Sequence, residues 1–245
     1  MEQRRFHHGV TDSTNERALA ALAAGTARHG DLHVAQAQTA GRGRLGREWH
    51  SPLGVGLYVS MVLLPERAPA PAALTIAGGL AVLDAVHGLG LAEASLEWPN
   101  DVVVRGAKLA GILVETRGFD PRRPSYVLGV GLNVAQLTFP ADLQRGRQVT
   151  SLRLEHVEAP IPEVERAFVN RLTARLEQVC QDPARLERDY VEAAGLAEGA
   201  VEAFDSQRRV RGRLVALTID AGLWLEVRGE RQHFPLEHLR GLHRI

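Results

Sequence analysis

The sequence predicts an α+β fold, a mixed β-sheet with flanking helices followed by a small barrel-like unit. Three observations predict it. Between residues 5 and 134, aliphatic and β-branched runs of strand length alternate with stretches of 3.6-residue apolar spacing. Two more helical patterns occupy 161–179 and 183–194. Beyond Gly195 the texture changes to short strands separated by turns. The boundary divides the chain into units 1–197 and 198–245, the second short enough to lean on the first for stability.

The elements follow in order. Residues 5–10 read as a strand. Asp12-Ser13-Thr14-Asn15-Glu16 then opens an apolar-periodic helix to about Ala24, with Ser13 and Glu16 spaced as a capping box. A strand at 31–37 leads into a glycine- and arginine-rich loop, 39–51, that shows neither period. A buried strand at 55–64, a Pro- and Ala-rich turn and a helix to about His87 come next. Strands follow at 95–98, 102–105, 109–115 and 126–134, then the two helices, then strands at 201–204, 209–219, 223–227 and 232–235.

Composition narrows the function. With 245 residues, 45% hydrophobic and 24% charged, the chain is ordinary for a globular protein, which excludes disordered, collagenous and disulfide-scaffold classes. Lys+Arg and Asp+Glu are both 29, so no global field draws it to nucleic acid or anionic membrane, and any positive site must be local. The most apolar stretch, 72–92, is broken by Asp84 and His87, and no signal peptide is legible, so a cytoplasmic protein without a membrane segment is expected. The one cysteine, Cys180, reads as a small buried hydrophobe. No Cys/His spacing suits zinc. Of the 29 basic residues only Lys108 is lysine, which makes it a candidate for chemistry that needs a compact ammonium rather than a flat guanidinium.

Gly41-Arg42-Gly43-Arg44-Leu45-Gly46 spells G-x-G-x-x-G, but no helix follows to receive a pyrophosphate, and the lysine of a P-loop is missing. What remains is a loop presenting Arg42, Arg44 and Arg47 among glycines that let backbone approach a ligand. It suits an anion, phosphate foremost, over a nucleic-acid strand, which would want a longer basic and aromatic surface. Such a loop is expected to order over its ligand. Asn100 and Asp101 stand at a strand-end turn after Pro99, where an Asx turn alone would account for them. Lys108 opens a buried strand beside Gly111, so the sheet can hold its ammonium at the rim as a charge clamp.

Taken together, Asp12-Ser13-Thr14-Asn15, Gln38, Gly41-Arg42-Gly43-Arg44-x-Gly46-Arg47-x-Trp49, Trp98-Pro99-Asn100-Asp101, Lys108 through Glu115 and Gly129-x-Gly131-x-Asn133 resemble the biotin protein ligase family in order and spacing. The resemblance runs from about residue 9 to 135. It implies a catalytic domain like that of class II aminoacyl-tRNA synthetases and biotin ligases over 1–197, and an SH3-like barrel over 198–245. It also implies a ligase that joins biotin to AMP from Mg-ATP, releases pyrophosphate, and passes biotin to a lysine of a biotin carboxyl carrier protein domain.

By the same resemblance, Lys108, Arg44 and Arg47 are catalytic. Ser13, Thr14, Asn15, Gln38, Arg42, Gly43, Arg44, Lys108 and Gly111 bind biotin. Arg42, Arg44, Arg47, Trp49, Asn100, Asp101, Lys108 and Asn133 bind ATP, with Arg42 and Arg44 closing over the adenylate. Mg2+ comes on the ATP phosphates with Asp101 the one protein contact, and no protein cluster binds metal directly. Glu97 stands where many relatives carry a basic residue, which removes a phosphate contact there. Only 11 residues precede Asp12, so neither a DNA-binding winged helix nor a DNA partner is expected, while a homodimer is left open. The rival readings are a lipoate or octanoate ligase or transferase, whose glycine-rich motif differs, and a non-catalytic ligand-binding module, which would tolerate arginine at Lys108.

Overall fold

The structure, a computed structural model, describes residues 3–205 and 207–245. In chain order its elements are β1 (Arg5–His7), β2 (Val10–Thr11), α1 (Thr14–Ala23), β3 (Leu32–Ala35), β4 (Ala37–Gln38), β5 (Gly56–Leu63) and α2 (Pro71–Gly88). Then come β6 (Ala94–Glu97), β7 (Asp101–Val104), β8 (Ala107–Glu115), β9 (Tyr126–Asn133), α3 (Ala141–Gln144), α4 (Ile161–Gln181) and α5 (Pro183–Ala193). The chain closes with β10 (Ala200–Phe204), β11 (Arg209–Thr218), β12 (Gly222–Val227), β13 (Glu230–Phe234) and β14 (Gly241–Arg244).

Seven strands build a mixed sheet in the order β1-β3-β5-β9-β8-β7-β6, parallel between β1 and β3 and antiparallel elsewhere. Its two faces differ because β9 alternates apolar residues with glycine. Leu128, Val130 and Leu132 join the core cluster that contains α2, whereas Gly129 and Gly131 leave the other face bare. Cross-strand register extends the clearing. Gly131 pairs with Gly111 on one side and Tyr58 on the other, and Gly129 lies between Leu113 and Ser60. A Cβ at Gly131 would overlap the Trp49 indole, and one at Gly129 the Asn15 carboxamide. Helix α1 and the arginine loop therefore sit directly on sheet backbone.

Helix α2 packs between the sheet and α4, which explains why it is apolar all round. It is long and apolar enough by composition to cross a membrane, yet 67% of it is buried inside the protein. The expected strand at 5–10 is two short strands, divided at Gly9 (φ +57), whose carbonyl accepts from the amides of Gln36 and Ala37. The second of them, β2, pairs in parallel with β4 and sets Gln38 beside Thr11. Cys180 is exposed, not buried: it lies near the end of α4, beyond the turns whose Val164, Phe168, Val169 and Leu172 face the core.

The C-terminal strands form an antiparallel sheet, β13-β12-β11-β10-β14, whose last member the alternation pattern does not predict. Its Leu217, Leu223 and Phe234, with Leu239 of the turn before β14, belong to the same apolar cluster as Leu96, Trp98 and Tyr190. Across the junction Trp98 Nε1 donates to the Leu239 carbonyl at 3.1 Å, and its ring meets Tyr190 edge-on at 5.9 Å. A buried indole N–H with a partner is worth about 1 kcal/mol over one without. Trp98 is thus core and clasp together.

Candidate active site

A cavity of about 440 Å³ opens over the glycine-cleared face and is closed on its far side by the C-terminal sheet. Each sequence-nominated residue lines it except Asn133. Asn133 is buried behind the wall, where its Nδ2 donates to the Thr150 carbonyl at 2.9 Å and its Oδ1 accepts from Gln136 at 3.1 Å. It props the segment that pairs with Lys108 rather than touching the cavity: Lys108 N donates to the Gln148 carbonyl and Thr150 N to that of Lys108, each at 2.8 Å.

One end of the cavity is uncharged. Gln38 Oε1 accepts from Thr14 N at 2.8 Å and from Thr14 Oγ1 at 3.2 Å, while its Nε2 donates to Ser51 Oγ at 2.8 Å. Ser60 Oγ lies within hydrogen-bond distance of both Thr14 Oγ1 and Asn15 Oδ1. Ser13 is the N-cap residue of α1, yet its hydroxyl makes no cap bond. The capping box is therefore not formed. Glu16 instead takes Arg42 at 3.0 Å and Arg117 at 3.1 Å. The Ser13 hydroxyl, at a buried residue in the cavity wall, is left available to a ligand.

The arginine loop is more regular than its sequence predicts. Gly43 N donates to Arg47 O at 2.7 Å and Trp49 N to Gly41 O at 2.9 Å, closing a narrow hairpin over a 3-10 turn at Arg44–Gly46. No α-helix follows it, in keeping with rejection of the dinucleotide motif. Arg42 is turned to Glu16 and Glu115, the latter at 2.8 Å, and Glu115 also accepts from Asn15 Nδ2 at 2.7 Å. The Arg42 guanidinium, at the cavity wall, therefore anchors the loop to α1 and β8. Arg44 points the other way, donating to Asn100 Oδ1 at 3.3 Å. Burial pulls its guanidinium below the ordinary pKa, Arg240 and Arg47 push the same way, and Asp101 opposes them.

The second end is charged. Lys108 Nζ lies 2.7 Å from Asp101 Oδ1 and 5.3 Å from the centre of the Trp49 ring, a cation–π distance. Asp101 also pairs with Arg147, whose Nη2 stands 3.0 Å from Glu97 Oε1. Six cationic side chains line the cavity, Arg42, Arg44, Arg47, Lys108, Arg147 and Arg240, against the carboxylates Glu48, Glu97 and Asp101. A locally positive site inside a chain of zero net charge suits an anionic ligand. Sequence reading missed Arg147 and Arg240, along with Phe204, Leu242 and His243 from the C-terminal sheet. In a chain with 28 arginines no single one stands out, and the wall formed by β10 and β14 comes from residues far away in sequence. Among the described residues no group of three or more His, Cys, Asp or Glu could hold a metal alone.

Residues 8–133, which carry the uncharged end, the loop and Lys108, match the Biotin/lipoate A/B protein ligase family. The chain belongs to that family. Among family relatives, the bifunctional ligase/repressor BirA of Salmonella typhimurium is 41% identical over 135 residues, 55% of this chain and 42% of that protein. The chain thus spans about two fifths of that relative's length. The biotin–[acetyl-CoA-carboxylase] ligase of Mycobacterium tuberculosis is 40% identical over 186 residues, 74% of this chain and 66% of that one. A biotin protein ligase from Aquifex aeolicus, solved in complex with biotin and ATP, superposes over 99% of both chains with a TM-score of 0.78 and 25% identity.

Proposed function

We propose that the protein is a biotin protein ligase of the biotin–[acetyl-CoA-carboxylase] type, working in the cytoplasm on a biotin carboxyl carrier protein domain. The observation that carries this reading is one cavity joining a neutral hydrogen-bonding end, Ser13, Thr14 and Gln38, to a cation cluster centred on the single lysine. A ligand with a polar, uncharged head and an anionic tail fits that gradient, as biotin does with its ureido ring and carboxylate. The relatives named for biotin ligation support the same choice.

In the first step a biotin carboxylate oxygen forms a bond to the α-phosphorus of ATP, and the bond to the β-phosphate bridging oxygen breaks to release pyrophosphate. Two anions must meet for this to happen. Lys108, in the charged end, offsets both charges, while Arg44 and Arg47 stabilise the charge that builds on the phosphoryl oxygens. In the second step an uncharged lysine ε-amine of the carrier attacks the acyl carbon of biotinyl-5'-AMP. The acyl–oxygen bond breaks, AMP leaves, and the amine loses its proton. Trp49, over Gly111 and Gly131, supplies an aromatic floor for the nucleotide side.

Magnesium fits the residues present. Asp101 is a carboxylate in the cavity wall and Asn100 adjoins it, few protein ligands being usual where Mg2+ is held through phosphates. When bound, the ion would draw charge from the leaving pyrophosphate.

The test is exchange of labelled pyrophosphate into ATP with biotin, octanoate or lipoate supplied separately. Exchange with biotin alone supports the ligase. Exchange with lipoate or octanoate moves the chain to the neighbouring specificity, and none with any acid leaves a binding module.

A further inference from the structure

Glu97 and Asp101 are directly opposed partners on the antiparallel strands β6 and β7. Two carboxylates in that register repel each other, and the fold answers with Arg147, which pairs with both. Arg147 does not arrive by chance of a flexible side chain alone. Its segment is laid against β8 by the paired hydrogen bonds at Lys108 and by a parallel bridge between Lys108 and Val149. Lys108 and Arg147 thus grip opposite oxygens of one carboxylate, Oδ1 and Oδ2 of Asp101.

Two further observations separate Arg147 from a purely structural counter-ion. It lines the cavity. Its Nη2 is buried and held at 3.0 Å by Glu97 Oε1, a partly exposed carboxylate that a more strongly charged anion can replace. We infer that Arg147 is a phosphate-binding residue of the nucleotide site, presented beside Lys108 and held ready by Glu97. An arriving polyphosphate oxygen takes over Nη2, and Glu97 is the group it displaces. The loss of a cation expected from Glu97 on sequence is thereby made good from another element. This rests on the ligase reading for the identity of the nucleotide, but not for the direction of its effects.

Calorimetry of Mg-ATP and of biotin, each titrated alone into the full chain, tests it. In Arg147→Gln the Kd for Mg-ATP is expected to rise about tenfold, the loss of one charge-assisted hydrogen bond, with the Kd for biotin unchanged. Glu97→Gln should move the other way and tighten Mg-ATP several-fold, because no carboxylate then competes for Nη2. The Glu97→Gln, Arg147→Gln double variant should lose that gain. A merely structural Arg147 would make both single variants weaken nucleotide, or would weaken biotin and nucleotide alike, and either result overturns the inference. If Arg147→Gln fails to fold, Glu97→Gln decides alone: unchanged or weaker Mg-ATP binding refutes it. Wild-type protein that binds Mg-ATP but shows no biotin-dependent pyrophosphate exchange would refute the ligase reading and leave Arg147 standing.

Discussion

The two ends of the cavity solve opposite problems. At the uncharged end Thr14, Gln38, Ser51 and Ser60 hold one another through short neutral bonds, with a main-chain amide among the donors, so their positions are set by the fold. At the charged end Lys108, Arg147, Glu97 and Asp101 neutralise one another, so an anion must trade places with a carboxylate. The first arrangement selects shape at low reorganisation cost. The second keeps five cations, counting Arg44, Arg47 and Arg240, from repelling one another and makes nucleotide affinity an exchange of ion-pair partners.

The strongest way to break this contrast is Lys108→Arg, which keeps the charge but loses the compact ammonium over Trp49. Pyrophosphate exchange should fall by about 10² to 10³-fold, and a rate within a few-fold of wild type would remove Lys108 from the chemistry. Gln38→Ala attacks the other end. It leaves Thr14 N and Ser51 Oγ short of a partner and should raise the KM for biotin by about tenfold, with the KM for ATP held within twofold. Ionic strength should separate the ends without any substitution: raising salt weakens Mg-ATP binding several-fold and biotin, which brings a single carboxylate, by less, as equilibrium titrations will read.

The smallest effects concern the loop anchor. Glu115→Gln should speed tryptic cleavage within 42–47 a few-fold, since its half-exposed ion pair with Arg42 is worth less than about 1 kcal/mol. Glu16, the other anchor, is held below its ordinary pKa by the hydrogen bonds from Arg117, against partial burial and with help from Arg42. A depressed folded pKa gives stabilisation that is fully present above the unfolded value and lost as pH falls through the folded one. Loop protection, read with an acid-tolerant protease, should therefore stay level from neutral pH to about pH 5 and decline only below about pH 4.

Much of the fold and most of the cavity were legible because local pattern and site coincide. The strand that carries Lys108 and Gly111, the Asn100-Asp101 turn and the start of α1 each declare themselves within a few residues. What escaped depends on distance in sequence. Ser13 and Glu16 have capping-box spacing, but Arg42 and Arg117, 26 and 101 residues from Glu16, claim its carboxylate. Asn133 sits in a motif like its neighbours, yet the loop at Thr150 takes its side chain. Arg147 and Arg240 are ordinary surface arginines until β8 and the C-terminal sheet bring them to the wall. Helical spacing gave no sign that Cys180 lies past the turns of α4 that face the core.

The single lysine of the sequence is also a wall residue of the cavity. An amine-selective acylating reagent therefore finds one side-chain target in the whole chain, and it is the one a bound ligand would shield. The extent of acylation at Lys108, read on its own peptide apart from the N-terminal amine, becomes an occupancy meter for the cavity, measured on unaltered protein and independent of turnover.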